Sequence, residues 1–383
     1  MELAKALRAF GELGAAERSE SFEVFSRSLD LAWVRRALKA TGTASIRRRK
    51  LPAEFVVWLV IGMALLRDRS IDEVVRHLDL VLPDRKRANH RRAVTRGAVI
   101  AARNRLGSRA LAVLFTETAQ QWAGQAAEAQ RWRGLAVYGV DGTTLLVPDT
   151  EHNEQMFGRP RSGRSAGAYP QLRMVALMVL RSHLLADFAA GPFDHGEQSL
   201  AHKLWERLPD HSLTIVDKGF LNYVVFHTIQ HSGAERHWLC RAKANLKWKV
   251  VRALGEGDDL IEIPLHRGLR RQHPELPAHL CARAMRYHRR GFRPQILLTS
   301  LLDGAAYPAQ EIAALYHERW ELEIGFDEIK THTLERAETL RSKTPERVLQ
   351  ELWGLRVILR APTPLDSTAG PCGARSGVNC AGP

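Results

Sequence analysis

A chain of 383 residues, 45% of them hydrophobic, is long enough for two or three domains and apolar enough to bury a real core. Its formal net charge of +14 points to a polyanionic partner, usually nucleic acid, with a merely solubilising basic surface as the bland alternative. Cys240, Cys281, Cys372 and Cys380 form no CxxC pair, which argues against a zinc site or a disulfide framework and fits a reduced, cytoplasmic protein.

Residues 1 to about 130 read as a helical N-terminal domain. The opening MELAKALRAFGELG lacks the pattern of a signal peptide, and FVVWLVIGMALL (55–66) is too short to cross a bilayer and reads as a buried helix. In SIDEVVRHLDLVLP, Ser70 with Glu73 three residues on forms a capping box. After the basic run DRKRANHRR, Thr95 caps a helix carrying Arg96, Arg103 and Arg105, and Gly107 stops it. Two short helices around a basic loop suggest a helix-turn-helix, with Arg96 and Arg103 as DNA contacts; many helix pairs in bundles look the same.

From residue 135 the period changes to that of strands. LAVYGV ends at Asp141 and is followed by a turn and a second strand; LRMVALMVL and SHLLADFAA are strand-like; EQSLAHKLWERL is a helix. SLTIV ends at Asp217, FLNYVVFHTIQHSG is helical, and HWLCRAK is a strand, so a mixed α/β layer is expected. Residues 244 to about 295 hold strand-like runs between Gly and Pro turns and read as a β-rich insertion. One helix is expected over 308–333 and another over about 345–360. Residues 361–383 have no periodicity and read as an irregular, frameshifted or truncated tail.

Asp141 and Asp217 close buried strands, and Glu323 lies on the 308–333 helix. Acids at strand ends converge at one sheet edge and repel one another, so a positive group must compensate. Hard oxygen ligands with few histidines favour Mg²⁺ or Mn²⁺ over Zn²⁺, and two such ions can clamp both oxygens of a phosphodiester exchange. Equally, an Asp before Gly is a common turn residue. On a helical wheel, Tyr316, Arg319, Glu323 and Lys330 fall within roughly 60°, beside an apolar stripe of Leu315, Leu322, Phe326 and Ile329. Asp327 falls nearby, and angle alone does not separate it from Glu323.

The spacing Tyr316, Arg319, Glu323, Lys330, with the blocks VYGVDGTTLLVPDT and TIVDKGF, resembles the signature of bacterial DDE transposases of the insertion sequence 4 family. The likeness also takes in RRRKLPAEFVVWLVIGMALLRDRSIDEVV and AARNRLG, and runs from about residue 20 to 360. It implies an RNase H-like catalytic domain (131–360) with a β-rich insertion before the helix of the glutamate, plus an all-α N-terminal domain. Asp141, Asp217 and Glu323 would hold two Mg²⁺ ions, with Mn²⁺ as substitute. Tyr316, Arg319 and Lys330 would grip DNA phosphates, with Lys218 in place of the arginine usual after the second Asp. The partners implied are double-stranded DNA, both terminal inverted repeats and target, and a second copy in a synaptic homodimer. Further DNA-binding candidates are Arg159, Arg161, Arg164 and Arg173 along a channel, and Trp238 and Trp248 as base-stacking platforms, against the plainer readings of solvated loop and core. Glu197 suits a helix start and is also a candidate aid to the metal site. The altered tail leaves a catalytically idle, DNA-binding regulator as the alternative to an active enzyme, and a host nuclease without strand transfer as a third reading.

Overall fold

The computed structural model describes residues 29–45, 51–66, 69–78, 81–83, 91–160, 169–288, 294–327 and 340–358. Helix α1 (Leu31–Ala40) starts at Asp30, whose carboxylate accepts the Ala32 N–H at 2.8 Å. Helix α2 (Ala53–Leu65) follows Pro52 and is buried almost all round, as its unbroken apolar sequence requires. The capping box of Ser70 and Glu73 is present at the start of α3 (Ile71–His77). Thr95 caps α4 (Arg96–Leu106), and Gly107, at φ 65°, ends it. Helix α5 (Arg109–Ala129) follows at once.

Two expectations for this region fail together. Strands β1 (Val81–Pro83) and β2 (Arg91–Ala93) pair antiparallel between α3 and α4. The N-terminal region is therefore not all-α, and α3 and α4 are not joined as a helix-turn-helix. Three-residue strands are too short to show a period in sequence. The basic run 84–90, Arg161, Arg164 and residues 361–383 lie outside the described residues.

The remaining strands make one sheet in the order β5-β4-β3-β6-β7-β11-β10-β9-β8. Strands β3 (Ala136–Leu146), β4 (Gln171–Val179) and β5 (Leu185–Pro192) form an antiparallel meander, with α6 (Glu151–Phe157) between the first two. Strand β6 (Ser212–Val216) returns through α7 (Glu197–Trp205) to lie parallel to β3, and β7 (Arg236–Arg241) returns through α8 (Tyr223–His231) to lie parallel to β6. With helices over both faces, every residue of SLTIV is buried. The expected β-rich stretch supplies β8 (Lys249–Gly255), β9 (Asp258–Pro264), short helix α9 (Arg267–Gln272), β10 (His279–Tyr287) and β11 (Gln295–Thr299). These strands extend the same sheet, through β11 beside β7.

Strand alternation splits the core between the two faces. Val137 and Leu145 of β3 and Met174 and Ala176 of β4 pack on one side; Tyr138, Val140, Val175 and Leu177 pack on the other with α7 and α8. The first side also holds the N-terminal helices, α10 (Ala309–His317), α11 (Trp320–Asp327) and α12 (Pro345–Ile358). Helix α12 lies on α2 so closely that a Cβ at Gly354 would meet Val60 Cγ1 at 2.8 Å. Among the described residues no helix is long and apolar enough to cross a membrane.

Candidate active site

The parallel ladder between β3 and β6 ends at the pair Val140↔Val216. The next residue on each strand is an aspartate, Asp141 and Asp217, so register alone sets them side by side. Strand β3 does not stop there, as its Asp-Gly pair suggests; it runs on to Leu146, paired with β4 only. Asp141 thus sits inside a strand at the point where that strand loses its other neighbour. Asp217 does end its strand. It caps a 3₁₀ turn, Lys218–Phe220, with Oδ1 accepting the Gly219 N–H at 2.6 Å and the Phe220 N–H at 3.3 Å. Among the described residues Oδ2 has no hydrogen-bond donor. From β7, the Cys240 thiol donates to the Asp217 carbonyl at 3.3 Å; burial raises its pKa and keeps it protonated.

Helix α11 brings the third acid. A Cβ at Gly139 would meet Leu322 Cδ1 at 2.7 Å, and one at Gly325 would meet Met178 Sδ at 2.7 Å. These two glycines let α11 lie directly on the sheet, two residues along the same face from Asp141. Arg319 spans the gap: its Nη1 stands 3.7 Å from Asp141 Oδ2, and its Nη2 donates to Glu323 Oε1 at 3.1 Å. Tyr316 is buried beside it, and burial pushes its hydroxyl up to about 12.

The expected single helix 308–333 is broken. Residues 318 and 319 form a turn between α10 and α11, where Glu321 N–H bonds Glu318 O at 2.9 Å and Leu322 N–H bonds Arg319 O at 3.0 Å. This three-residue spacing tightens the coil and puts Arg319 at the joint. The outward acids are paired, Glu318 with Arg181 at 2.7 Å and Glu321 with His183 at 2.8 Å. Lys330 lies outside the described residues, as does the side chain of Asp327.

Burial drives the Asp141 pKa up to about 6, against the Gly142 N–H and Arg319, which lower it; the Asp217 and Glu197 carboxylates add to the rise. For Arg319, burial opposes the charge, but Tyr316, Asp141 and Glu323 outweigh it and raise the pKa. Among the described residues no three acids, histidines or cysteines stand close enough to hold an ion as they are. The donor set at this sheet edge is nonetheless of hard carboxylate oxygens with a guanidinium as the counter-charge, which suits Mg²⁺ or Mn²⁺.

Two predicted DNA contacts, Trp238 and Arg103, are corrected, and Arg159 and Arg173 have partners within the chain. Trp238 is fully buried, stacked on Phe226 at 3.9 Å and 5°, with its Nε1 donating to Gln230 at 3.0 Å; no base can reach it. Arg103 is 3% exposed and binds Gln350 Oε1 at 3.0 Å, Ser342 Oγ at 3.1 Å and the Arg347 carbonyl at 3.1 Å. Arg159 is matched by Asp149 at 2.5 Å and Glu154 at 3.0 Å. Arg173 lies over Phe193 at 4.8 Å and donates to the His195 carbonyl at 3.1 Å. Arg96 and Lys218 are exposed, Lys218 next to Asp217. Sequence reasoning missed the glycines. Gly139 and Gly142 inside the strand Ala136–Leu146 were the available signal of close approach.

Residues 19–116 match the family model described as insertion element 4 transposase N-terminal, and residues 132–360 match the transposase DDE domain. Over 328 residues the chain is 38% identical to the transposase InsG for insertion sequence element IS4 of Escherichia coli strain K12, covering 85% of this chain and 72% of that relative. A cryo-EM structure of the piggyBac transposase synaptic complex with hairpin DNA is similar over 90% of this chain and 74% of its own, at 7% identity and a TM-score of 0.45.

Proposed function

Because the chain belongs to the DDE transposases of the insertion element 4 family, we propose that Asp141, Asp217 and Glu323 are the carboxylates that hold its catalytic metal. A DDE transposase is a DNA-cleaving enzyme that works with a divalent metal on a DNA partner. The finer reading is two Mg²⁺ ions, replaceable by Mn²⁺, in an RNase H-like sheet. The order β5-β4-β3-β6-β7, third-second-first-fourth-fifth with only the second strand reversed against its neighbours, supports that topology. When bound, the metal makes an attacking oxygen more nucleophilic and stabilises charge on the leaving oxygen.

The chain's own residues do the rest. Asp141 and Asp217 stand at the end of the Val140↔Val216 register, and Glu323 faces Asp141 across Arg319. That convergence is the observation that carries the proposal. Arg319 holds the two acids in place and offers a planar fork to a phosphate, while Lys218 and Lys330 add point charges and Tyr316 backs the arginine. Arg96 and the basic run 84–90 contact duplex DNA from the N-terminal domain (1–130). The enzyme binds the terminal inverted repeats of its element in the cytoplasm as a synaptic homodimer and nicks them by hydrolysis, and the freed 3′-hydroxyl then attacks a target phosphodiester, joining the element's end to target DNA and releasing a target-strand 3′-hydroxyl.

The test is cleavage of an end-labelled duplex carrying the element's own terminal repeat, with Mg²⁺. Glu323→Ala and Asp141→Asn are each expected to lower the cleavage rate on the order of a thousandfold or more while DNA binding persists. Full cleavage by either variant would sink the assignment. No cleavage by the unaltered chain, with tight and salt-sensitive binding, would favour the idle regulator.

A further inference from the structure

We propose that Glu197 is a fourth ligand of the metal site, reaching it from the opposite face of β3. This rests on the reading of Asp141, Asp217 and Glu323 as metal-holding carboxylates. Glu197 is the first residue of α7, and its carboxyl group lies against Gly142; any Cβ there would run into it. A glycine in the middle of a strand weakens it. The close approach of this one carboxyl group gives Gly142 its reason.

The helix dipole alone would be served by an acid anywhere in the first turn, and needs no such contact. Among the described residues the half-buried Glu197 side chain has no hydrogen-bond or ion-pair partner, whereas its neighbour Gln198 donates to the Gly219 carbonyl and accepts from Asn222. Alternation sends Asp141 toward α11 and turns Gly142 toward α7, so Asp141 and Glu197 flank β3 from its two sides. The parallel ladder stops one residue earlier, at Val140↔Val216, so no strand separates the two faces on the side of Asp217. The end of β6 is therefore open to both faces, although no three of these carboxylates close on one ion as they stand. Arg319 pairs with two of the four carboxylates, Asp141 and Glu323, which leaves a surplus of negative charge that suits a hard divalent cation.

The test is Mn²⁺ titration of the full chain without DNA, followed by calorimetry, with free Mn²⁺ counted by electron paramagnetic resonance. Glu197→Gln is expected to weaken Mn²⁺ binding about tenfold or more, or to remove one ion, with unchanged circular dichroism. Glu151→Gln, which removes the equivalent exposed helix-start acid of α6, is expected to bind as the unaltered chain does. Wild-type Mn²⁺ binding in Glu197→Gln would overturn the inference, provided Asp141→Asn binds more weakly. If Asp141→Asn also binds normally, the three-carboxylate reading fails instead. Glu197→Asp keeps the charge but withdraws the carboxyl group by one methylene. Weakened binding in that variant supports ligation even if the glutamine variant does not fold, and normal binding refutes it.

Discussion

Asp141 shows how site chemistry and stability pull apart at a single residue. Its folded pKa, about 6, lies above the ordinary 3.8. The folded state is therefore favoured while Asp141 is protonated, and that stability is lost as pH rises from about 4 to 6. Two units correspond to about 3 kcal/mol, an upper figure for a group that keeps some solvent. Without divalent metal, Asp141→Asn should melt several degrees higher than the unaltered chain at pH 7, and the difference should vanish below pH 4. Thermal melts across pH check this; a less stable variant at pH 7 contradicts it. With Asp141 in its proposed role as a metal-holding carboxylate, protons would compete with metal for it, so cleavage is expected to fall below about pH 6. At this scale the sequence was readable where chemistry is local. Arg319 and Glu323, four residues apart, meet at 3.1 Å as helical spacing suggests, whereas Tyr316 belongs to α10, on the other side of the turn. Trp238 and Arg103 were not readable, because their surroundings come from distant segments: Phe226 lies under the indole, and Gln350, 247 residues on, takes the guanidinium.

At the scale of elements, the site exists because α11 lies flat on β3. The strand run at 135–140 and the helix after Pro308 were legible from apolar runs and periodicity, although β3 continues through the turn expected at its Asp-Gly pair. The break at residues 318 and 319 was not, since no proline or glycine marks it; it arises where Arg319 meets Asp141 and Glu323. The two-stranded ribbon between α3 and α4 was missed because three residues show no alternation. The closeness of α11 to the sheet depends on Gly139, where a Cβ would meet Leu322 at 2.7 Å and Leu180 at 2.8 Å. Gly139→Ala should therefore lift α11 by a few tenths of an ångström and destabilise the fold by roughly 1–3 kcal/mol. It should lower cleavage more than it lowers DNA affinity, because it moves Glu323 relative to Asp141 but touches no DNA-facing group. Denaturant melts, paired with cleavage and binding assays on one preparation, separate the two effects. Unchanged cleavage would mean that α11 does not position the third acid.

Across the whole molecule, the N-terminal helices and the end of the described chain share one core. Helix α12 packs on α2 and α5, and its Trp353 meets Phe115 of α5 at 5.1 Å and Phe188 of β5 at 4.2 Å. Arg103 fastens α4 to the segment 342–350 from inside. Its burial lowers its pKa to about 10, and its partners are a side-chain amide, a hydroxyl and a carbonyl. A surface arginine for DNA would be dispensable to folding; this one is not. Arg103→Met removes the donors and leaves Gln350 and Ser342 without them, at a cost of about 2–4 kcal/mol. Because the core is shared, the loss should appear as one unfolding transition shifted as a whole in calorimetry. Two transitions, with only one moved by Arg103→Met, would mean that residues 29–129 fold independently of α12. The same variant, below its melting point, should bind DNA with an unchanged dependence on salt. That slope counts phosphates neutralised, and a buried guanidinium neutralises none. Arg96→Ala, from the exposed start of the same helix, should reduce the slope by about one and leave the transition where it is.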